Sequence, residues 1–164
     1  MRKIINKMIG SSLAMDNQKL INFLNQLLSN HFVMYVKLHR YHWFVKGMHF
    51  FQLHTVFEDM YKKFGKDLDE VAERVLMIQG KPLATMSKYL EEATLVEASA
   101  DDTEEEMIEQ LLEDYNQLVS EIKEQGIPLA EENKDEPTLD LLIGLQQDYE
   151  KYIWMLSAYQ DQDK

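Results

Sequence analysis

The side chains able to bind a metal ion fall into two groups along the sequence. All five histidines lie within the 24 residues from His31 to His54, and apart from Asp16 every acidic residue follows them, from Glu58 onward. The chain contains no cysteine, so thiolate ligands, disulfides and cysteine nucleophiles are excluded. A metal must therefore be held by nitrogen and oxygen, a ligand set that suits iron, manganese or zinc.

Four of these side chains share one stripe of a helix. His54 and Glu58 are four residues apart, as are Asp69 and Glu73, and the separation of 11 positions from Glu58 to Asp69 spans about three turns. Polar groups on a core-facing helix need a partner or a metal. However, His54 and Asp69 are about 22 Å apart along the axis, at about 1.5 Å per residue. One ion therefore cannot contact both ends of the stripe.

Two-fold symmetry would bring the two ends of the stripe together. If a second copy packs antiparallel along this helix, its Asp69 and Glu73 lie beside His54 and Glu58 of the first copy. The axis then creates two equal sites, each built from both chains. The alternative is that the acids lie on a solvated face and that the histidines are satisfied by hydrogen bonds in the core.

Two long helices are predicted to position the histidines and the first acids. Apolar residues recur at helical spacing over 17–45 and again over about 49–78. Asp16 is a suitable N-cap for the first helix and Gly47 a suitable stop, while Gly80 follows the end of the second. On the first helix, His42 stands three residues after His39 and is followed by Trp43.

A third helix is expected over 103–125. Asp101 or Asp102 would cap its start, and Gly126 and Pro128 would close its end.

A fourth helix is expected from Pro137 to about residue 160, and the link over 81–101 has room for a short helix near 87–93. The fold class is therefore all-α: a ferritin-like four-helix bundle with a long crossover between its second and third helices. We expect residues 16–162 to form this domain and residues 1–15 to be a flexible extension, with Met15 as an alternative start. Diiron sites inside such bundles use a Glu-x-x-His pair, which this sequence lacks, so a centre within one subunit is excluded.

The charge distribution restricts the partners. Residues 1–57 carry a net +6 and residues 58–164 a net −18, which sum to the chain's −12. This balance disfavours general nucleic-acid binding, which needs clustered Lys and Arg, and suits a surface or cavity that concentrates cations. An acidic surface without a charged ligand is the alternative. No apolar run approaches the roughly 20 residues of a membrane span, and Lys7 interrupts any signal-like core, so we expect a cytoplasmic protein.

Several motifs in order resemble the Dps family of mini-ferritins. They are KLHRYHWFVKG at 37–47, FFQLH at 50–54, DEVAER at 69–74, GKPLATM at 80–86 and IWM at 153–155. The resemblance covers about residues 16–160. It implies a dodecamer, a homo-oligomeric shell with ferroxidase centres at its two-fold interfaces. In such proteins hydrogen peroxide is commonly the preferred oxidant of ferrous iron, and ferric oxyhydroxide collects in the cavity.

The resemblance also implies a ligand set. The family's iron ligands carry over to His42, His54 and Glu58 of one subunit and to Asp69 and Glu73 of its neighbour. This division agrees with the one that the spacing requires.

Other residues have roles that are implied less directly. Trp43, beside the centre, is a candidate for intercepting one-electron by-products, with core packing as the alternative. The family's acidic pores at the three-fold axes match Glu131, Glu136 and Asp140, although two of the relatives' aspartates are glutamates here. His31, 11 residues before His42, stands where a large apolar residue is expected and could be an accessory ligand.

Two other functions fit parts of the sequence. Some Dps relatives coat DNA through basic tails, and a nucleoid-protecting role would depend here on Arg2, Lys3 and Lys7. Three cations set against a net charge of −12 predict weak DNA binding that salt screens. A helical interaction module without catalysis is the other alternative.

Overall fold

The structure is a computed structural model that describes the backbone of residues 2–99 and 103–160 and the side chains of residues 17–99 and 103–160. Within these ranges it contains helices and no strand, which confirms the all-α class. The helices are α1 (Arg2–Phe44), α2 (Phe50–Met77), α3 (Met86–Glu92), α4 (Glu104–Glu121), a π-helix (Ile122–Gly126), α5 (Ile127–Glu132) and α6 (Glu136–Gln160).

The four long elements form the expected bundle. The antiparallel helices α1 and α2 pack along each other, α4 packs on α6, and the short α3 lies in the crossover against α1. Each long element contributes to one apolar core, which includes Leu24, Phe57, Leu111 and Tyr149. Thr85 caps α3 by accepting a bond from a backbone N–H. The ferritin-like arrangement with a short helix in a long crossover is therefore confirmed.

The start of α4 differs from the prediction by a few residues. Thr103 caps the helix, because its hydroxyl accepts from the Glu106 N–H while the Glu106 carboxylate accepts from the Thr103 N–H. This reciprocal capping box satisfies two backbone donors that the helix leaves free. Asp101 and Asp102, the expected caps, lie outside the described residues.

The prediction that Gly126 and Pro128 close the third helix is wrong. The chain continues through a π-helix, in which the Ile127 N–H donates to the Ile122 carbonyl five residues earlier, and then into α5. Pro128 lies in the first turn of α5, where its missing N–H costs no helical bond. Gly126 is needed for packing, since a Cβ there would lie 2.4 Å from Cε1 of Phe23.

The first helix begins earlier than predicted. It is continuous from Arg2, so Asp16 is not its N-cap. Residues 2–16 contain no proline and only one glycine, and nothing in them stops a helix. The flexibility of residues 1–15 and the domain boundary at residue 16 stay predictions. None of the helices in the described part of the chain is both long and apolar enough to cross a membrane.

Candidate metal centre

Two histidines meet where α1 ends and α2 begins. His42 lies in the last turn of α1 and His54 in the second turn of α2. The chain reverses between them at Gly47, whose φ of +115° suits glycine. The two imidazole rings are stacked, with centroids 3.7 Å apart and planes inclined by 17°.

Each of these histidines is oriented by the other's backbone. His42 Nδ1 lies 2.6 Å from the His54 carbonyl oxygen, and His54 Nδ1 lies 2.7 Å from the His42 carbonyl oxygen. A carbonyl can only accept, so both Nδ1 atoms carry the proton. In the neutral form of each ring the Nε2 atom then keeps its lone pair, and neutral histidine is the form that binds a metal.

Aromatic neighbours hold the histidine pair in place. Phe50 stacks on His54 with centroids 5.0 Å apart, and Tyr61 meets His42 edge-on at 5.4 Å. His42 is buried and His54 is half-buried. The histidine pair thus lies at the end of the bundle where α1 meets α2, and its ring planes are fixed.

Glu58 lies one turn after His54 on α2. Its half-buried carboxylate forms an ion pair with Lys62 one turn further on. The hydrogen bond and the charge of Lys62 are the main causes that lower the pKa of the Glu58 carboxyl, with smaller effects from His42 and His54. Glu58 is therefore ionised at neutral pH and suits a cation.

The second pair of expected ligands lies elsewhere on α2. Asp69 and Glu73 are exposed, and Asp69 is about 22 Å from His54 along the helix axis. Among the described residues of one chain, no three His, Asp or Glu side chains converge on a point that could hold a metal. Within one chain the histidine pair and these two carboxylates therefore lie far apart.

Trp43 lies beside the histidine pair. Its indole is 65% exposed in the single chain, so it does not pack in the core of its own subunit. It meets the His39 ring edge-on at 5.5 Å, and His39 stacks on Tyr61 at 3.7 Å. His39 donates from Nδ1 to the carbonyl of Tyr35, 2.7 Å away.

The three expected pore acids lie around one turn. Glu131 lies in the last turn of α5, Glu136 begins α6 and Asp140 lies one turn further on, and all three are exposed. The turn between them is fixed by Asp135, whose carboxylate is 2.7 Å from the guanidinium of Arg74 on α2. The sequence reading missed this ion pair, because nothing in the spacing connects two residues 61 positions apart.

His31 is not part of the histidine pair. It lies about 16 Å before His42 along α1 and is fully buried in the bundle, with its Nε2 atom 2.8 Å from the Tyr149 hydroxyl. Burial, followed by the nearby charge of Lys63, lowers the pKa of His31 to about 3. Tyr149 also donates to Asp67, 2.9 Å away. The sequence reading missed this core network.

Comparisons with known proteins define the class. The model of the ferritin-like domain matches residues 21–164. General stress protein 20U of Bacillus subtilis is 44% identical over 143 residues, covering 87% of this chain and 98% of that protein. DNA protection during starvation protein 2 of Bacillus anthracis is 42% identical over 146 residues, covering 89% and 99%.

Solved structures narrow the class further. The crystal structure of a Dps protein from Bacillus brevis has a TM-score of 0.87 and 40% identity, covering 89% of this chain and 97% of that one. The Dps protein from Vibrio cholerae, described as a member of a broad superfamily of ferritin-like diiron-carboxylate proteins, has a TM-score of 0.85 and 34% identity, covering 89% and 91%. The chain belongs to the Dps family of ferritin-like proteins, as its motifs predicted.

Proposed function

We propose that the protein is a ferroxidase and iron-storage protein. It oxidises ferrous iron with hydrogen peroxide at di-iron centres between subunits, keeps the ferric product as mineral inside a shell, and so protects the cell from oxidative damage. The observation that carries this proposal is the reciprocal bonding of His42 and His54, which frees both Nε2 atoms for a metal. The ferritin-like diiron-carboxylate description of the Vibrio cholerae relative supports it.

Each centre takes its ligands from two chains. His42, His54 and Glu58 belong to one subunit, and Asp69 and Glu73 belong to its two-fold neighbour. The separation of the two halves along α2 supports this division, because neither half completes a site alone. An apolar groove of about 690 Å³ beside Trp43 supports packing of a second copy at this face.

The reaction needs two electrons. Two ferrous ions side by side give one electron each to hydrogen peroxide, the O–O bond breaks, and two protons complete two water molecules. Because both electrons arrive together, the release of hydroxyl radical is limited. Carboxylate oxygens then favour the ferric product, since hard ligands prefer the more highly charged ion.

Trp43 and the pore acids have supporting roles. The exposed indole of Trp43, in contact with His39, can give a single electron to a by-product that escapes the two-electron step. Glu131, Glu136 and Asp140 line an entry route for ferrous ions, because three acids around one turn attract cations. The shell is a dodecamer, and light scattering that reports a monomer at micromolar concentration contradicts it.

The test is an anaerobic ferrous titration followed by peroxide. We expect two ferrous ions oxidised per peroxide consumed, with little spin-trapped hydroxyl radical. His42→Ala should lose this reaction, whereas the control His39→Gln should keep it, because His39 lies on the same helix outside the proposed ligand set. Normal iron oxidation in His42→Ala contradicts the proposed centre, and no peroxide consumption in the unmodified protein favours a non-catalytic helical module.

DNA binding is the alternative, and the names of several relatives give a reason to test it. The net charge of −12 per chain opposes it. We propose weak binding that appears only at low salt, because each phosphate contact is lost as counterions compete. A gel shift at two salt concentrations distinguishes this from a nucleoid-coating protein, which would keep its affinity at physiological salt.

A further inference from the structure

A tyrosine in the middle of the bundle has the surroundings of a redox group. Tyr149 on α6 is fully buried, with Phe64 stacked on it at 5.4 Å and Tyr115 at 5.7 Å between ring centroids. Its hydroxyl contacts His31 of α1 and Asp67 of α2. None of these residues belongs to the proposed iron ligands or the entry route.

The proton positions follow from counting donors. The Tyr149 hydroxyl has one proton and donates it to Oδ2 of Asp67, 2.9 Å away. His31 Nε2, 2.8 Å from the same oxygen, must then donate to it. His31 Nδ1 is left without a hydrogen-bond partner among the described residues. This agrees with the pKa of about 3 that burial gives His31, since that nitrogen stays unprotonated.

The charge of the carboxylate that accepts the phenol's hydrogen bond is balanced by a lysine. Asp67 pairs with Lys63 one turn earlier on α2, and the Lys63 ammonium is also 2.9 Å from Asp148 on α6. If Asp67 takes up a proton, Lys63 keeps Asp148 as its counterion, so no unpaired charge is left in the core.

We propose that Tyr149 is a buried one-electron donor, which becomes a neutral tyrosyl radical while Asp67 accepts its phenolic proton. Loss of an electron alone would leave the cation radical of the phenol, which is a very strong acid. A phenol is therefore oxidised readily only when its O–H group already donates a hydrogen bond to a base. The oxidant is a hydroxyl radical or a radical of similar strength. In the cell it would come from the proposed iron oxidation, so this part of the proposal rests on the proposed function. The hydroxyl radical takes one electron from Tyr149 and becomes hydroxide, while the phenol proton moves to Asp67.

The aromatic neighbours of Tyr149 form a path for electron transfer to the surface. Tyr152 is half-buried and borders a groove of about 250 Å³ between α2 and α6. It stacks on Tyr115 with centroids 5.4 Å apart, and Tyr115 contacts Tyr149. The buried Tyr115 hydroxyl has no hydrogen-bond partner within the described part of the chain, so Tyr115 has no base to take its proton. Tyr115 therefore only relays the electron, and the radical remains on Tyr149.

The site can be reset by the protein's own substrate. A ferrous ion returns one electron along the same aromatic path and becomes ferric, and Asp67 returns the proton to the phenol. An escaped radical is thereby used to oxidise one more ferrous ion.

The test uses metal-free protein, so that failure of the ferroxidase proposal does not affect it. Azidyl radicals made by pulse radiolysis oxidise the assembled shell, and electron paramagnetic resonance follows the tyrosyl radical. We expect Tyr149→Phe to lose the long-lived signal. The matched control is Tyr89→Phe, which should keep it, because the Tyr89 hydroxyl donates to a backbone carbonyl 2.7 Å away that cannot take up a proton. An unchanged signal in Tyr149→Phe overturns the proposal.

Two further measurements separate the site from its surroundings. Asp67→Asn keeps the phenol but removes the base, and should slow oxidation of Tyr149 by about tenfold or more, each factor of ten being about 1.4 kcal/mol of barrier. High-field resonance of the unmodified protein needs no variant to fold. We expect the lowered g-value of a phenoxyl oxygen that accepts a hydrogen bond from His31, and the g-value of a radical without a hydrogen bond refutes Tyr149 as its site.

Discussion

Two histidines on the same helix have opposite surroundings. His42 donates a hydrogen bond from Nδ1 to the His54 carbonyl, whereas the fully buried His31 uses Nε2 and has no partner for Nδ1 among the described residues. Their places on α1 explain the difference. His42 lies in the last turn, where the backbone carbonyls lack helical partners, so its own carbonyl can accept from His54. His31 lies where the carbonyls are already bonded, so its partners are side chains of other helices.

The two regions also differ in how complete they are. The core network around Asp67 has its own cation in Lys63, and its hydrogen bonds and ion pairs join residues of one chain. The surface pair has two free Nε2 atoms with ionised Glu58 nearby. Burial and internal pairing disfavour a metal in the first region, while the second region has the ligand types that the proposed centre requires. The same residue types therefore build a closed network in one place and, in our proposal, half of a metal site in the other.

The largest expected effect comes from breaking the incomplete region. His54→Ala and Glu73→Ala should each lose most peroxide-driven iron oxidation, because every centre then lacks a ligand. When the two variants are reassembled together, about half of the two-fold pairs are mixed, and in each mixed pair one centre carries both changes and the other carries neither. About a quarter of all centres should be intact, as measured by the initial oxidation rate.

The control for this mixture is the reassembly of each variant with itself, which should show no recovery. Light scattering and native mass spectrometry establish that mixed shells have formed. If properly mixed shells stay inactive, the ligands come from one chain and the shared centre is wrong.

The entry route should have a smaller effect, on rate only. Changing Glu131, Glu136 and Asp140 to their amides removes three negative charges from one turn, so ferrous uptake should slow several-fold at unchanged assembly. The matched control changes the exposed Glu105, Glu109 and Glu113 of α4 to glutamine, which removes the same charge elsewhere. Stopped-flow oxidation kinetics compare the two. Equal slowing in both would indicate a general charge effect rather than a route.

The sequence predicted those parts of the molecule that depend on local pattern. The four-helix arrangement and the stripe on α2 follow from helical periodicity, which one chain segment carries by itself. The capping of α4 by Thr103 was also readable, as a Thr-x-x-Glu box, but was assigned to the preceding aspartates. The π-helix was not readable, because it depends on the close approach of Gly126 to Phe23.

The core network could not be predicted for a similar reason. His31 and Tyr149 are 118 residues apart, and no spacing rule connects them. The unusual type of His31 at an apolar position was the one available signal. The reciprocal bonds of His42 and His54 were likewise hidden, because they depend on the geometry of the turn between two helices.

The core histidine should make the shell sensitive to acid. In the unfolded chain His31 takes up a proton near its ordinary pKa of 6.5, whereas in the folded protein it does so only near 3. The stability it contributes is therefore complete above pH 6.5 and is lost as the pH falls toward 3. Between pH 6.5 and pH 5 the loss is roughly 1.5 kcal/mol for each chain.

His31→Leu should remove this part of the pH dependence. Chemical denaturation at matched protein concentration, at pH 6.5 and pH 5, measures it in both proteins. His49→Gln is the control, because His49 is partly exposed and should leave the dependence on His31 intact. If His31→Leu loses as much stability on acidification as the unmodified protein, His31 does not titrate as its burial requires.

The smallest expected effect concerns the ion pair between Lys62 and Glu58 in the surface region. Lys62 occupies the Glu58 carboxylate and lowers the pKa of its carboxyl. In Lys62→Gln a ferrous ion no longer competes with the ammonium, so ferrous binding at neutral pH should tighten by a few-fold at most, because the pair is exposed. The pKa of Glu58 should rise at the same time, so oxidation should begin to fall at a higher pH as acid is added.

Lys66→Gln is the matched control, since it removes the same charge from a similar pair with Glu70. Calorimetric ferrous titrations under anaerobic conditions compare the two variants, and equal affinities would mean that Lys62 does not compete with iron for Glu58.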